Sequence, residues 1–281
     1  MAPVDRPDRG ISYDSRDIAE AWHRSGTARS GALGPATELM LDLAGVGPGC
    51  SVLDLAAGTG DQTLLAALRV GLTGSVLATD IAASMLEVAA AVAHEAGLAN
   101  VATRVMDAQE LDLPADCFDA AICRSGLMLL PDPLKALTEV RRVLKPGGRF
   151  AAVVFSAPEK NPYAARPSEI VRRIGNLPPP APDQPGMFAL GAPGALDAAF
   201  QKAGFRDVTV RTVPTRRHFA TVDEALRNCR DSFPSLLQLM DRLSDAEREQ
   251  AWAEIEQELR RIERPDGIEV VGEVLVGAGK K

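Results

Sequence analysis

Val52-Leu-Asp-Leu-Ala-Ala-Gly-Thr-Gly-Asp61 is the stretch of this chain that decides the fold. An apolar run breaks there into a glycine turn, and the pattern predicts a strand, a tight turn and a helix. Gly58 and Gly60 lack Cβ, so a ligand can approach the main chain closely. Amide groups that open a helix suit a phosphate. Asp54 and Asp61 place negative charge on both sides of the turn, however, and therefore favour a ligand end that is cationic or rich in donors, such as a sulfonium amino acid.

Two further apolar runs are each followed by an acid. Val76-Leu-Ala-Thr-Asp80 ends twenty residues after Gly60, and the run at 101–105 is followed by Asp107. The carboxyl ends of parallel strands meet at one edge of an open α/β sheet, where ligands bind. Carboxylates grouped there with Asp54 would cost stability without a bound partner. We therefore expect Asp54, Asp80 and Asp107 to belong to one binding site.

Two more motifs complete the alternation of strands and helices. Phe118-Asp-Ala-Ala-Ile-Cys-Arg124 has the character of a fourth buried strand, and Arg141-Arg-Val-Leu-Lys-Pro-Gly-Gly148 leads into a fifth at 150–155. Strands that alternate with helices in this way predict βαβ units, a parallel sheet and right-handed crossovers.

In this order, the motifs resemble those of the class I S-adenosylmethionine-dependent methyltransferases, in the small-molecule branch that includes the ubiquinone and menaquinone C-methyltransferases. The resemblance implies an α/β, Rossmann-like fold: a seven-stranded, mostly parallel sheet, helices on both faces and a helical lid formed by insertions. It implies S-adenosylmethionine as the methyl donor and S-adenosylhomocysteine as the product. It covers about residues 45–215 well and the remainder poorly.

The resemblance also assigns cofactor contacts. Asp80 would accept hydrogen bonds from the two ribose hydroxyls, and Asp107 with the amide of Ala108 would meet the adenine. The full set of expected cofactor-binding residues is Asp54, Ala56, Gly58, Gly60, Asp80, Ser84, Met85, Asp107, Ala108 and Arg124.

A dinucleotide-binding fold is the competing interpretation of the glycine turn, since it also carries an acid about twenty residues further on. The third glycine of that fingerprint would fall on Thr63, and Asp54 would have no role in pyrophosphate binding. We therefore favour the methyltransferase interpretation.

Composition narrows the classes of function. The 281 residues are 46% hydrophobic and 4% aromatic, with a formal net charge of −7. This charge disfavours nucleic acid, whose phosphates need clustered Lys and Arg; the basic pairs at 172–173, 216–217 and 260–261 are interpreted as solvated surface. The four cysteines show no metal-ligand or disulfide spacing. We expect a cytoplasmic protein with no metal site and no membrane span, and a homodimer is left open.

The predicted organisation has five parts. They are a disordered N-terminus at 1–12, N-terminal lid helices at 13–44, a cofactor-binding core at 45–156, a proline-rich lid insertion at 157–192, and the end of the sheet at 193–281 with a helical insertion at about 219–265. Within these parts, helices are predicted at 13–28 and 35–44, and the last strands at 208–213 and 270–276, antiparallel to each other.

The chemistry needs few catalytic groups. Methyl transfer from a sulfonium is an in-line displacement that depends on positioning, and a base is needed only when the acceptor must lose a proton. His23 and His218 are the candidate bases, each with an ordinary surface histidine as the alternative. The candidate acceptor-binding residues are Tyr13, Trp22, Arg124, Met187 and Phe188. Arg124 could bind a carboxylate of the acceptor or of the cofactor, or it could be a structural ion-pair partner.

The predicted function is transfer of a methyl group to a carbon or oxygen atom of a small, mostly apolar metabolite. The alternative is a protein on the same fold that binds S-adenosylmethionine or S-adenosylhomocysteine for regulation or for a reaction other than methylation.

Overall fold

A seven-stranded sheet forms the centre of the computed structural model, which describes residues 14–181 and 184–281. The strands are β1 (Ser51–Leu55), β2 (Ser75–Asp80), β3 (Val101–Val105), β4 (Phe118–Arg124), β5 (Leu144–Phe155), β6 (Arg206–Phe219) and β7 (Ile268–Lys280). Their order across the sheet is β3-β2-β1-β4-β5-β7-β6. Only β7 runs antiparallel to its neighbours, β5 and β6. The predicted α/β fold with a mostly parallel, seven-stranded sheet is confirmed.

Helices cover both faces of the sheet. In the described part of the chain they are α1 (Arg16–Arg24), α2 (Gly26–Ala44), α3 (Asp61–Val70), α4 (Ala83–Glu95), α5 (Pro133–Val143), α6 (Pro162–Ile174), α7 (Ala195–Lys202), α8 (Val222–Ser232), α9 (Pro234–Met240) and α10 (Asp245–Arg260). The apolar sides of α5 and α7 pack on one face of the sheet, and those of α2 and α3 pack on the other.

A further apolar cluster, which we call the helical core, lies outside the sheet layers. It joins α6, α8, α9 and α10 to the outer ends of β6 and β7. Phe219, Phe233, Leu236 and Ile268 are among its most buried side chains. The apolar spacing that predicted an amphipathic helical insertion at about 219–265 therefore belongs to three helices that bury their apolar sides against α6 and against each other.

The N-terminal helices differ from the prediction. One helix at 13–28 and a second from Pro35 were expected, but α1 ends at Arg24 and α2 already begins at Gly26, with Pro35 inside it. Proline disfavours a helix interior because it lacks an N–H. The buried side chains of α2 on both sides of Pro35, among them Leu33 and Met40, pack on the sheet and outweigh that cost. Residues 1–12, expected to be disordered, lie outside the described residues.

The last two strands are longer than predicted. Strands at 208–213 and 270–276 were expected, whereas β6 and β7 pair from Arg206 with Lys280 to Phe219 with Ile268. The extension of β6 carries polar residues that give no strand signal, and its pairing with β7 decides the conformation. The predicted antiparallel relation of these strands is confirmed.

The topology marks one point of the sheet as a binding site. The chain leaves β1 toward β2 on one side, and β4 lies on the other side of β1, so the strand order reverses between β1 and β4. Open α/β sheets bind ligands outside the carboxyl ends of the strands at such a point. Within residues 14–181 and 184–281, no helix has both the length and the apolar character that crossing a membrane requires.

Candidate functional site

The turn after β1 needs its glycines. Ala56, Gly58 and Gly60 have positive φ angles of 50°, 58° and 87°. A Cβ on Gly60 would lie 3.1 Å from Cβ of Ala89 on α4, and one on Gly58 would lie 3.3 Å from the indole nitrogen of Trp22. The turn therefore combines backbone strain with close approach, a combination that is common at ligand sites.

Asp54 lies beneath this turn and is completely buried. Its carboxylate accepts hydrogen bonds from Thr63 Oγ1 at 2.6 Å and from Gln62 Nε2 at 3.0 Å. Burial raises the pKa of Asp54 to about 7. The carboxylate thus fixes the first turn of α3 to β1, and its contact with the cofactor stays a prediction.

Asp80 lies at the carboxyl end of β2 and is bonded to the turn. Its Oδ2 accepts from the amide of Gly58 at 2.9 Å, and its Oδ1 accepts from the amide of Ala82 at 3.0 Å. Burial raises the pKa of this carboxyl. Asp107 follows the neighbouring strand β3, and its Oδ1 accepts from the amide of Gln109 at 2.8 Å. Both carboxylates therefore stand where the sequence places them, at adjacent strand ends beside the turn.

The other expected cofactor residues surround the turn. Met85 is buried with Ala82 against α1, and Ala108 is buried behind Asp107. Two hydroxyls in this region, Thr59 Oγ1 and Ser84 Oγ, are buried without a hydrogen-bond partner among the described residues. Buried polar atoms are usually paired, so these two hydroxyls fit a site that is completed by a ligand.

A buried charge cluster adjoins the turn. Asp61 Oδ2 lies 2.6 Å from Nη2 of Arg29 on α2 and 2.8 Å from Nη2 of Arg124 at the end of β4. Although burial acts to raise it, these two guanidiniums hold the pKa of Asp61 below its ordinary value. The negative charge that Asp61 was expected to place beside the turn is therefore compensated by two arginines. The three side chains together carry a formal charge of +1.

Of the roles considered for Arg124, the structure shows that of a structural ion-pair partner. Its Nη2 binds Asp61, its Nη1 donates to Thr37 Oγ1 at 3.2 Å, and the residue is buried. The next residue, Ser125, has a positive φ of 62° and lies at the mouth of the site. A contact of Arg124 with the acceptor or the cofactor stays a prediction.

Helix α1 covers the turn. The indole of Trp22 lies over Gly58, and the guanidinium of Arg29 stacks on its ring at 4.1 Å from the centroid. His23 follows on the same helix, but it is exposed and does not line the cleft described below. The expectation that His23 acts on a bound acceptor is therefore not supported by its position. Tyr13 lies outside the described residues.

A cleft extends from Trp22, which covers the turn, to Phe233 of the helical core. Its empty volume, counted out to open solvent, is about 500 Å³. It is lined by Trp22, Arg29, Leu33, Ser125, Met128, Leu129, Phe155, Met187, Arg217, Ser232, Phe233, Pro234 and Ser235. Of the expected acceptor residues, Trp22 and Met187 line the cleft. Phe188 lies behind its wall, edge-on to the ring of Phe155 with centroids 6.2 Å apart.

Neighbouring residues of β6 point to opposite sides. His218 is exposed, and its Nε2 hydrogen-bonds the carbonyl oxygen of Asp266 at 2.8 Å. The structure thus removes His218 from the cleft, because successive strand residues alternate between faces. Arg217 lines the cleft instead. The interpretation of 216–217 as solvated surface is correct for Arg216, which pairs with Glu269 at 2.7 Å, and wrong for Arg217.

Sequence reasoning missed several residues of the cleft. Arg29, Arg217, Ser232 and Phe233 were not among the candidates. Each lies in a helix, turn or strand extension that carries no binding motif, and the tertiary fold alone brings them together. A longer strand prediction for β6 would have placed Arg217 on the inner face by alternation.

The described residues contain no group of three or more His, Cys, Asp or Glu side chains arranged to hold a metal ion. The four cysteines are free thiols. Burial raises the pKa of Cys123 to about 12 and that of Cys229 to about 11, so both thiols are protonated at neutral pH.

Comparison with known proteins agrees with this geometry. Residues 47–173 match the family model of a methyltransferase domain. The chain is similar to the ubiquinone/menaquinone biosynthesis C-methyltransferase of Hydrogenovibrio crunogenus, with 42% identity over 117 residues, which are 41% of this chain and 46% of that protein. The corresponding protein of Escherichia coli is 39% identical over 142 residues, 49% of this chain and 57% of that protein.

The fold is also similar to that of the YcgJ protein from Bacillus subtilis, with a TM-score of 0.59 and 21% identity, over 88% of this chain and 98% of that chain. At this identity the likeness shows a shared fold. The chain spans about half the length of the curated relatives it matches. Residues 174–281, which include β6 and most of the helical core, lie outside the family match.

Proposed function

We propose that this chain, whose residues 47–173 match the family model of a methyltransferase domain, is a class I S-adenosylmethionine-dependent methyltransferase. It would transfer a methyl group from S-adenosylmethionine to a carbon or oxygen atom of a small, mostly apolar molecule. One observation carries the proposal. The glycine turn at the switch point of the sheet is bonded to Asp80, and Trp22, which lies over Gly58, also lines a cleft with largely apolar walls.

The expected cofactor contacts are assigned to the strand ends. Asp80 would accept hydrogen bonds from the ribose hydroxyls, and Asp107 with the amide of Ala108 would hold the adenine. Thr59 and Ser84 supply buried hydroxyls that still lack partners. The net positive cluster of Arg29, Asp61 and Arg124 lies beside the turn, where it would favour the carboxylate of the methionyl group. Asp54 would support the turn from below.

The cleft would hold the acceptor beside the turn. S-Adenosylmethionine supplies an electrophilic methyl group when bound. Trp22 covers the turn from α1, and Phe155, Met187 and Phe233 form apolar walls that exclude water. Such a site contributes chiefly by orientation. Neither His23 nor His218 lines it, so we propose that no histidine acts as a general base.

The function is tested by calorimetric titration with S-adenosylmethionine, S-adenosylhomocysteine and NAD. We expect the adenosyl ligands to bind and NAD to give no signal. Asp80→Ala should lose the adenosyl ligands, because it removes both the ribose acceptor and the bond to Gly58. Asp119→Ala is the matched control: Asp119 also accepts a backbone N–H, that of Ser51, but at the opposite end of β1.

A signal with NAD, or unchanged affinity in Asp80→Ala, would overturn the cofactor assignment. Binding without methylation of any acceptor in a broad screen, followed by mass spectrometry, would favour a regulatory or non-methylating protein on the same fold.

We also propose a small-molecule acceptor rather than nucleic acid, and action in the cytoplasm, both in keeping with the formal charge of −7. A homodimer is kept as a hypothesis. Light scattering of the purified protein, gel-shift assays with tRNA and cell fractionation test these three points.

A further inference from the structure

Arg217 is a partly buried cation without an acidic partner. No Asp or Glu among the described residues lies within 4.0 Å of its guanidinium, whereas its neighbour Arg216 is paired with Glu269. Burial lowers the pKa of Arg217 below the usual arginine value, yet the group stays charged. A buried charge is costly unless it is paired. The environment of Arg217 therefore favours binding of an anion.

Neutral contacts hold the Arg217 side chain in place. Its Nη1 donates to the side-chain oxygen of Asn228 at 3.3 Å, and its guanidinium faces the ring of Tyr163 at 5.9 Å from the centroid. Tyr163 is fixed in turn, because its hydroxyl donates to the carbonyl oxygen of Ala225 at 2.7 Å. An arginine carries five N–H donors, and within the described residues Nη1 alone has a partner. Most of its donors remain available.

A second polar group faces the same cleft. The Oγ of Ser232 is buried and has no hydrogen-bond partner among the described residues. Ser232 is the last residue of α8 and lines the cleft together with Arg217. A buried hydroxyl without a partner, in the same cleft as a cation with unused donors, is a second, independent sign of a ligand.

The charged side chains that line the cleft are all positive. Arg29 and Arg217 line it, no carboxylate does, and the nearby Asp61 is already shared by Arg29 and Arg124. These three arginines and one carboxylate sum to a formal charge of +2 in a chain whose overall charge is −7. Burial, with smaller contributions from the positive charges of Arg124 and Arg217, lowers the pKa of Arg29 to about 10 although Asp61 acts to raise it. An anion bound here would relieve that repulsion.

We propose that Arg217 and Ser232 form a subsite for an anionic oxygen of the acceptor, so that the enzyme selects apolar molecules that carry a carboxylate or an ionised acidic hydroxyl. Arg217 binds this oxygen, Ser232 donates a second hydrogen bond, and the apolar walls hold the remainder of the molecule. This inference rests on the proposed methyltransferase function. It adds a charge requirement that the apolar composition of the sequence did not reveal.

The test measures binding of 2-naphthoate to the protein saturated with S-adenosylhomocysteine, beside its neutral isostere 2-naphthamide. We expect the acid to bind and the amide to bind at least about tenfold more weakly, the usual range for a buried hydrogen bond to a charged group. Arg217→Gln should remove this preference and Ser232→Ala should reduce it. Arg216→Gln, on the exposed side of β6, is the matched control and should keep it.

Binding of 2-naphthol, measured at pH values below and above its own pKa, distinguishes an ionised hydroxyl from a carboxylate as the preferred anion. Binding that strengthens as the hydroxyl ionises assigns the subsite to acidic hydroxyls, and binding of the naphthoate alone assigns it to carboxylates. Affinity for S-adenosylhomocysteine is measured for every variant. Retained affinity with a lost preference supports the subsite, and Arg217→Lys should restore part of the preference if its charge is what matters.

Three outcomes would overturn the subsite. One is equal binding of acid and amide by the parent protein, and another is failure of all three probes to bind. The third is loss of S-adenosylhomocysteine affinity in a folded Arg217→Gln variant, which would move Arg217 to the cofactor. If the parent protein itself failed to bind S-adenosylhomocysteine, the proposed function would fail first, and the two failures would be distinguished.

Discussion

At the residue scale, Asp54 shows how a motif acid can serve the fold. Its two hydrogen bonds come from the first turn of α3, and its pKa of about 7 lies well above the value of about 3.9 for an exposed aspartate. Between these two values the unfolded chain releases a proton that the folded chain keeps. The free energy of unfolding therefore falls as the pH rises from about 4 to about 7.

Asp54→Asn should remove that contribution. Its amide can exchange donors and acceptors with Thr63 and Gln62, so the fold is expected to persist. Urea unfolding at pH values from about 4 to about 8 should show the parent protein losing on the order of 4 kcal/mol relative to the variant across this range. Parallel curves for the two proteins would show that Asp54 does not titrate in that window.

Asp61 is expected to stabilise the fold through its ion pairs with two buried arginines. Removing one partner of a buried ion pair leaves an uncompensated charge and costs about 3–5 kcal/mol. Asp61→Ala leaves two guanidiniums, whose side chains are each 4% exposed, without their acidic partner. The free energy of unfolding of this variant should therefore drop by at least this amount. Asp112→Ala is the control, because Asp112 pairs with Arg104 at an exposed site and should lose at most about 1 kcal/mol. Equal losses in the two variants would contradict the structural role of the cluster.

At the scale of elements, α1 acts as a cover whose position depends on Trp22. The indole lies over the turn and stacks on Arg29. The other tryptophan, Trp252, lies on α10, and the guanidinium of Arg230 stacks on its ring at 4.4 Å from the centroid. Trp22→Ala should weaken binding of S-adenosylhomocysteine several-fold, since a covering aromatic ring is lost. Trp252→Ala loses a similar stacking contact away from the turn and should bind normally. Calorimetry on both variants decides whether α1 contributes to the site.

The elements also show what the sequence could predict. The glycine turn and the acids at the ends of β2 and β3 were found because local chemistry dictates them: positive φ, close approach and carboxylates at strand ends. Arg217 was missed because its strand runs through polar residues, and only pairing with β7 places it on the inner face. The start of α2 was missed for a related reason, since burial against the sheet overrides the signal of Pro35. Local rules therefore located the glycine turn with its acids, and tertiary packing decided which residues line the cleft.

At the scale of the whole molecule, the cleft lies between two apolar cores. Leu33 and Phe155 belong to the sheet layers, whereas Phe233 belongs to the helical core, and all three line the cleft. Helix α1 bridges the parts, because Trp22 covers the turn while Arg24 pairs with Asp231 of α8 at 3.2 Å. A ligand that fills the cleft would therefore stabilise one core against the other.

Hydrogen exchange should resolve this coupling into two steps. S-Adenosylhomocysteine alone is expected to slow exchange at the turn after β1 and in α1, because the ligand adds contacts there. Subsequent addition of 2-naphthoate should slow exchange at 232–235, between α8 and α9, where Ser232 and Phe233 line the cleft. Strand β3, at the far edge of the sheet, serves as the internal control and should not respond to the acid. Protection by 2-naphthoate at β3 but not at 232–235 would mean that the acid binds elsewhere, and the two cores would then have to be joined by another contact.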